Sequence, residues 1–225
     1  MQSFNIIKTS EIDKTFRVAK IMSDFDVKIE HSNEQFIGKI DMPEKWQIGC
    51  IVGNSGTGKS TIAKELFPNN YIKELKYSAN SVIDDMPKSA KVEEITKTFY
   101  SVGFGSVPSW LKPYSVLSNG EKARVDLARA LLEKDFIVFD EFTSVIDRTV
   151  AQTACLAIKK ALKRTNKQFI AVSCHFDILE WLEPDWIFNT NTMQMDFQFA
   201  HTPKNNLKSG DVGEVNGLNL GVIII

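Results

Sequence analysis

The chain has 225 residues, of which 43% are hydrophobic and 24% are charged, and its formal net charge is -1. This length and composition are typical of one large globular domain, or of one domain with a subdomain. The balanced charge lacks the strongly basic footprint of an obligate nucleic-acid binder, so nucleic-acid binding is neither indicated nor excluded. The sequence contains neither an N-terminal apolar signal nor a run of about 18 apolar residues. We therefore expect no membrane span and a cytoplasmic protein.

The three cysteines, Cys50, Cys155 and Cys174, all lie in apolar strand or helix patterns. Their positions share no spacing that is typical of metal ligands. We interpret them as buried small apolar residues in a reducing compartment, where no disulfide framework is expected.

Three strand candidates lie in the N-terminal part of the chain, at residues 16–21, 35–40 and 47–52. Polar stretches and Pro43 separate them, as is typical of short strands joined by turns. Together they predict an N-terminal antiparallel β layer that leads into a glycine-rich loop.

That loop fits the pattern G-x-x-x-x-G-K-[ST]. In this pattern the backbone N–H groups converge on phosphate oxygens and the lysine reaches the β- and γ-phosphates, while the hydroxyl of the last residue is available to Mg²⁺. A strand precedes it and a helix at 61–67 follows it until Pro68, the context that the pattern requires. The alternative, a surface turn, does not explain that context. The predicted ATP contacts are Gly53, Asn54, Ser55, Gly56, Thr57, Gly58, Lys59, Ser60 and Thr61.

Residues 71–115 form a less regular region with one helix candidate at 92–100. Three prolines at 87, 108 and 113 interrupt it, which predicts a short helical subdomain inserted into the main domain at about 71–125. At its end, Ser118 and Glu121 form a capping-box pattern that would start any helix. The same helix N-terminus could instead contact the γ-phosphate of a nucleotide held by another molecule, so both interpretations stay open.

A buried strand at 135–139 ends in two acidic residues, Asp140 and Glu141. A buried carboxylate needs a cation or hydrogen bonds, so we expect Asp140 to hold Mg²⁺ together with Ser60. Glu141 is placed to act as the general base for the attacking water. The alternative is an acidic pair that only caps the strand end.

The C-terminal half alternates helix and strand: a helix at 122–133, a helix at 150–162, a strand at 168–173, a helix at 176–182 and a strand at 186–188. This alternation predicts an α/β fold of the P-loop NTPase type, with a mainly parallel sheet flanked by helices. We expect one domain over residues 1–200 and a tail of uncertain structure, either an edge strand or loosely ordered, at 201–225.

Over about residues 14–190 the chain resembles the ATP-binding-cassette (ABC) class of ATPases. Residues 117–121 are similar to the signature of that family and residues 144–147 to its D-loop, and His175 matches its switch histidine. The resemblance implies ATP hydrolysis by a head-to-tail homodimer that sandwiches two ATP molecules. Ser118, Asn119 and Gly120 would then act on the nucleotide of the partner subunit, and His175 would be catalytic beside Lys59 and Glu141.

The chain also departs from that family. No glutamine lies between Lys59 and Ser118, so the family's coupling glutamine is missing; Asp84 or Asp85 could occupy its region, although ordinary loop charges are the alternative. The segment between loop and signature is shorter than in transporters, which reduces the surface that docks membrane subunits. Phe25 is either an adenine-stacking residue or a core residue.

These departures favour a non-transport ATPase, similar to stand-alone or acetyltransferase-linked bacterial and phage members that share the phrases at 52–61 and 175–182. An acetyltransferase or another protein partner is compatible with this interpretation. The alternatives are the nucleotide-binding subunit of an ABC transporter and a DNA-associated ATPase, although the latter normally carries a long coiled coil and no sustained heptads occur here. The sequence does not name the partner or the process that uses the ATP.

Overall fold

A computed structural model of the protein describes residues 2–11, 13, 15–26, 31–72, 74–163 and 165–196. The predicted tail at 201–225 lies outside these residues. The described part contains two sheets, and helices pack on both faces of the larger one.

The smaller sheet is an antiparallel pair of two long strands, β1 (Gln2–Glu11) and β2 (His31–Ile40), in which Gln2 pairs with Ile40. A helix lies between the two strands in the chain, and the pair is called the hairpin below. Of the three strands predicted for an N-terminal antiparallel layer, only the one at 35–40 belongs to this sheet; the strand at 47–52 lies in the larger, parallel sheet, and β1 was not predicted. Phe4 and Phe36 on its inner face are buried against the larger sheet, where the Phe4 ring meets Phe188 edge to face. The hairpin therefore covers one face of the sheet.

The predicted strand at 16–21 is wrong, because these residues belong to helix α1 (Phe16–Asp24). The Thr15 side chain accepts a hydrogen bond from the backbone N–H of Val18 at 3.3 Å and so caps the helix. None of the residues of α1 pairs with a described strand, and all described side chains of α1 are at least partly exposed. An apolar run alone did not distinguish helix from strand here.

The larger sheet has six strands in the order β4-β5-β6-β3-β7-β8, of which the first five are parallel and β8 is antiparallel to β7. The predicted parallel sheet is confirmed. The strands are β3 (Ile48–Val52), β4 (Tyr71–Ile72), β5 (Phe136–Phe139), β6 (Gln168–Ser173), β7 (Trp186–Asn189) and β8 (Gln194–Asp196).

The remaining helices are α2 (Lys59–Leu66), α3 (Val92–Ser101), α4 (Val107–Trp110), α5 (Asn119–Glu133), α6 (Arg148–Leu162) and α7 (Ile178–Leu182). Helix α2 and the hairpin share one core with alternate residues of the sheet, and helices α3, α5, α6 and α7 share the other. Strand β6 shows the division: Ile170 and Val172 face the first core, and Phe169 and Ala171 face the second. Both faces of the parallel strands are therefore buried, as such sheets require.

Two of the three cysteines follow the prediction of burial. Cys50 and Cys155 are buried, and burial raises the pKa of each thiol, that of Cys155 to about 12. Cys174 is only partly buried, because it follows the last residue of β6, at the carboxyl end of this interior strand. The expectation of a buried Cys174 is therefore wrong.

Gly49 in the central strand β3 provides a sharp test of the packing. A Cβ atom at this position would lie 2.2 Å from the Cε2 and Cζ2 atoms of the buried Trp186. We expect Gly49→Ala to lower the free energy of unfolding by about 1–3 kcal/mol, because a packed core does not absorb an added methyl group without strain.

The measurement is the midpoint of urea denaturation at an unchanged m-value. Gly105→Ala is the matched control, since its Cβ would meet Tyr100 at 3.7 Å, an ordinary van der Waals distance. Equal midpoints for Gly49→Ala and the wild type would show that Trp186 can move aside.

Candidate functional site

The glycine-rich loop at 53–58 connects the central strand β3 to helix α2. Gly56 and Gly58 both have a φ of 83°, in the left-handed region that side chains other than glycine rarely adopt. A Cβ at Gly58 would also lie 2.4 Å from the ring of Phe36 on the hairpin. The conformation of the loop therefore requires glycine at these positions, and it leads directly into the N-terminus of α2, which is an anion-binding element.

One side chain of the loop itself and two from a distant segment hold the loop in place. The Thr57 hydroxyl donates to the carbonyl of Asn54 at 2.9 Å and lies 2.6 Å from the hydroxyl of Thr190. The backbone N–H of Asn54 donates to the side-chain oxygen of Asn191 at 2.9 Å. Thr190 and Asn191 follow β7, and sequence analysis missed them because no motif connects them to the loop.

Lys59 extends back across the loop, and its Nζ donates to the carbonyl of Asn54 at 2.6 Å. Burial lowers the pKa of this ammonium group, and the nearby Cys174, Glu141 and Asp140 oppose that shift. The cation thus lies in the same cavity as the two carboxylates that follow β5. The cavity, of about 250 Å³, is lined by the loop and by Lys8, Glu34, Phe36, Ser60, Thr61, Asp140, Glu141, Ser144, Val172, Ser173 and Cys174.

Asp140 is only 2% exposed, and both oxygens of its carboxylate accept hydrogen bonds, as a buried carboxylate requires. The Tyr71 hydroxyl donates to Oδ2 at 2.5 Å, and the backbone N–H of Glu141 donates to Oδ1 at 2.9 Å. Glu141 itself has a φ of 55°, so the chain turns sharply away from β5 at this residue and its side chain is exposed. The two neighbouring carboxylates therefore have different environments, one buried and bonded and the other facing solvent.

The predicted capping box is present at the start of α5. The hydroxyl of Ser118 accepts a hydrogen bond from the backbone N–H of Glu121 at 3.3 Å, and the Glu121 carboxylate accepts one from the backbone N–H of Ser118 at 3.0 Å. Glu121 also accepts a hydrogen bond from Ser109 at 2.7 Å, and these bonds lower the pKa of its carboxyl.

Ser118, Asn119 and Gly120 do not line the cavity of Lys59. Asn119 lines a second cavity of about 130 Å³, between α5 and the segment after β5, and Glu141 contributes to both cavities. A single chain therefore does not bring the described signature residues and the loop into one cavity.

His175 follows β6, and its position is set by Arg148 at the start of α6. The Nδ1 atom of His175 lies 3.3 Å from Nη1 of Arg148, and a guanidinium group can only donate. Nδ1 is therefore the acceptor, and the proton of the neutral ring is on Nε2. Arg148 itself is held by an ion pair with Asp177 and lies over the ring of Trp181. The Asp147 side chain, the last residue of the D-loop-like segment, caps α6 immediately before Arg148.

Three further predicted residues lie away from these contacts. Phe25 is 71% exposed, so the alternative of a core residue is wrong, and it does not line the cavity of Lys59. Asp84 accepts a hydrogen bond from the Ser81 hydroxyl at 2.6 Å, and Asp85 accepts two from backbone N–H groups at 78 and 79. Both aspartates therefore stabilise their own loop, as the alternative of ordinary loop charges predicted.

The sequence of the chain is similar to ATP-binding subunits of transporters. No protein-family model matches the chain. It is 28% identical over 188 residues to the energy-coupling factor transporter ATP-binding protein EcfA1 of Staphylococcus aureus (strain USA300), over 65% of this chain and 68% of the relative. The corresponding protein of strain MSSA476 is 29% identical over 187 residues, with the same shares.

Solved structures show the same fold. A putative metal-chelate type ABC transporter in an inward-facing conformation has a TM-score of 0.57 at 15% identity, over 86% of this chain and 82% of that chain. A dimeric ATP-binding cassette in a post-hydrolysis state, bound to ADP and Pi, has a TM-score of 0.57 at 13% identity, over 83% and 92%. A bacterial Atm1-family ABC exporter with ATP bound has a TM-score of 0.51 at 20% identity; the match covers 64% of this chain but only 32% of the exporter chain.

The parallel sheet, the glycine-rich loop and the acidic strand end define a P-loop nucleoside-triphosphatase domain. Within this class the chain is similar to the ABC-type ATPases, enzymes that bind ATP with Mg²⁺ and hydrolyse it to ADP and phosphate. Among the described residues, no helix is both long and apolar enough to cross a membrane.

The contact between Arg148 and His175 makes a prediction that can be tested by NMR. In the wild type we expect His175 to be the Nε2–H tautomer, visible in two-bond ¹H–¹⁵N correlation spectra, because Arg148 can only donate to Nδ1. In Arg148→Leu we expect a mixture of both tautomers.

A His175→Asn variant assigns the signals. Arg129→Leu is the matched control, since Arg129 also pairs with an acidic residue, Glu133, and lies over an aromatic ring, but on another helix. A predominant Nδ1–H tautomer in the wild type would contradict the assigned contact.

Proposed function

We propose that residues 53–61 hold the triphosphate of ATP and that Lys59 contacts its β- and γ-phosphates. The observation that carries this proposal is the shared cavity in which the Lys59 ammonium, the N-terminus of α2, Asp140 and Glu141 meet. The loop and the helix end supply backbone donors, the lysine supplies the cation, and the two carboxylates line the same cavity. Such an arrangement suits a bound triphosphate better than any uncharged ligand.

Ser60 and Asp140 are the proposed magnesium ligands, and the residues present fit that ion. Carboxylate and hydroxyl oxygens are the hard donors that Mg²⁺ prefers, and it usually takes one or two carboxylates together with substrate phosphates and water. Consistent with this, no group of three or more His, Cys, Asp or Glu side chains forms a metal site of its own among the described residues. When bound, the ion would neutralise charge on the phosphates.

Glu141 is the proposed general base and His175 a proposed polar contact of the γ-phosphate. The exposed carboxylate of Glu141 lies at the rim of the cavity, where water reaches it, whereas Asp140 is buried. The Nε2–H of His175 is a hydrogen-bond donor, which suits a phosphate oxygen or the attacking water. Arg148 would act only through His175, as a positioning residue.

The signature residues Ser118, Asn119 and Gly120 are proposed to act in trans, in a head-to-tail homodimer. ABC ATPase domains act as dimers that bind ATP, and one of the solved neighbours is a dimer. The described separation of this helix N-terminus from the cavity of Lys59 supports the proposal, because the helix would otherwise have no phosphate to contact.

We further propose a cytoplasmic, non-transport ATPase that works with a protein partner, such as an acetyltransferase. Its ATPase domain would span residues 1–200, with a reduced helical subdomain at about 71–125. The support is the short segment between loop and signature and the absence of a glutamine from it. The second candidate is a transporter subunit, favoured by the likeness to EcfA1. Co-purification with a polytopic membrane protein would establish the second candidate and overturn the first.

The role of Glu141 predicts a specific loss of turnover. We expect Glu141→Gln to reduce ATP hydrolysis by roughly 10²- to 10⁴-fold, the usual contribution of a general base, while ATP binding is retained. Phosphate release measures the first quantity and titration calorimetry the second.

Lys59→Ala is the contrasting variant, since it should lose ATP binding itself. Turnover of Glu141→Gln at the wild-type rate would remove Glu141 from the mechanism. Equal ATP affinity of Lys59→Ala and the wild type would show that the loop does not bind ATP.

The head-to-tail arrangement predicts that two inactive variants complement each other. A mixture of Lys59→Ala and Ser118→Arg forms some mixed dimers in which one site has an intact loop from one chain and an intact signature from the other. We expect this mixture to recover part of the ATPase activity that each variant lacks alone.

Activity per molecule should also rise with protein concentration, because dimerisation follows mass action. No recovery in the mixture, together with full turnover by a strictly monomeric wild type in sedimentation experiments, would leave Ser118 with only its capping role.

A further inference from the structure

Tyr71 is the first residue of the short strand β4, which lies beside β5 at the edge of the sheet. The carbonyl of the following residue, Ile72, accepts the backbone N–H of Asp140 at 2.8 Å, so the backbone at Tyr71 is fixed next to the acidic strand end. The ring of Tyr71 is partly buried, and its hydroxyl donates to Oδ2 of Asp140 at 2.5 Å.

Burial and the hydrogen bond to Asp140 raise the pKa of Tyr71 above its ordinary value, and a carboxylate only accepts, so the Tyr71 hydroxyl is the donor in that bond. Asp140 and Ser60, the two side chains proposed above as magnesium ligands, line the same cavity.

A buried carboxylate that lacks donors is costly, and it can also rotate away from the position in which it serves a metal. In Asp140 the Tyr71 hydroxyl holds one oxygen and the backbone N–H of Glu141 holds the other. Each bond uses one lone pair of its oxygen, so lone pairs remain for a metal-bound water. The hydroxyl thus fixes the carboxylate without occupying all of its acceptor capacity.

We propose that Tyr71 is a positioning residue of the magnesium site, which orients the Asp140 carboxylate beside Ser60 and thereby sets the affinity of the nucleotide site for Mg²⁺. This inference rests on the proposed roles of Ser60 and Asp140. Groups that orient metal ligands typically change metal affinity by about 10- to 100-fold when they are removed.

The test compares Tyr71→Phe with Tyr77→Phe. Tyr77 is the matched control because its hydroxyl also donates to a carboxylate, that of the partly buried Asp126, at 2.7 Å, but that carboxylate does not line the cavity of Lys59. Calorimetric titration measures the binding of the non-hydrolysable analogue AMP-PNP at a series of Mg²⁺ concentrations and in EDTA.

For Tyr71→Phe we expect a rise of about 10- to 100-fold in the Mg²⁺ concentration at which the affinity for AMP-PNP has increased half-maximally. The affinity in EDTA should stay at the wild-type value, because the loop and Lys59 are unchanged. Tyr77→Phe should leave both quantities unchanged. An unaltered or lower Mg²⁺ requirement in Tyr71→Phe would overturn the proposal.

A double-mutant cycle identifies the route of the effect. If Tyr71 acts through Asp140, Tyr71→Phe should have no further effect on the Mg²⁺ requirement in an Asp140→Asn background. An equal loss in both backgrounds would overturn the positioning role. Failure of the proposed function is distinguishable, since AMP-PNP binding by the wild type would then not depend on Mg²⁺ at all.

Discussion

The buried carboxylate of Asp140 is the constraint on which the rest of the site depends. It is 2% exposed at the end of a parallel strand, a place where a charge persists only if donors or a cation meet it. The neighbouring edge strand supplies one donor through Tyr71, and the sharp backbone turn at Glu141 supplies the other. That turn also brings the side chain of Glu141 out to solvent. The same local geometry therefore separates a buried carboxylate with fixed partners from an exposed one.

The phosphate loop is held by contacts that come from outside its own motif. The hairpin places Phe36 directly against Gly58, and the end of β7 supplies Thr190 and Asn191 to the Thr57 hydroxyl and the backbone of Asn54. A loop that must present its N–H groups to phosphates cannot use them to stabilise itself. Its rigidity must therefore come from the packing of neighbouring elements, and the hairpin that covers this face of the sheet supplies part of that packing through Phe36.

Glu141 connects the cavity of Lys59 with the face that carries the signature helix, because it also lines the second cavity beside Asn119. A partner that docks on the signature face would therefore meet a cavity that the proposed general base also lines. This arrangement suits an ATPase whose turnover depends on assembly.

The sequence by itself determined the elements whose signals are local. The glycine pattern predicted the loop, the apolar run at 168–173 matched strand β6, and the Ser118–Glu121 pair predicted a capping box that the structure contains. Only the tertiary structure decided the rest: α1 was mistaken for a strand, and neither β1 nor Tyr71 was recognised. The physical reason is that a strand edge, a second donor for a buried carboxylate and a tautomer-setting arginine are defined by neighbours distant in sequence. Local spacing carries no record of those neighbours.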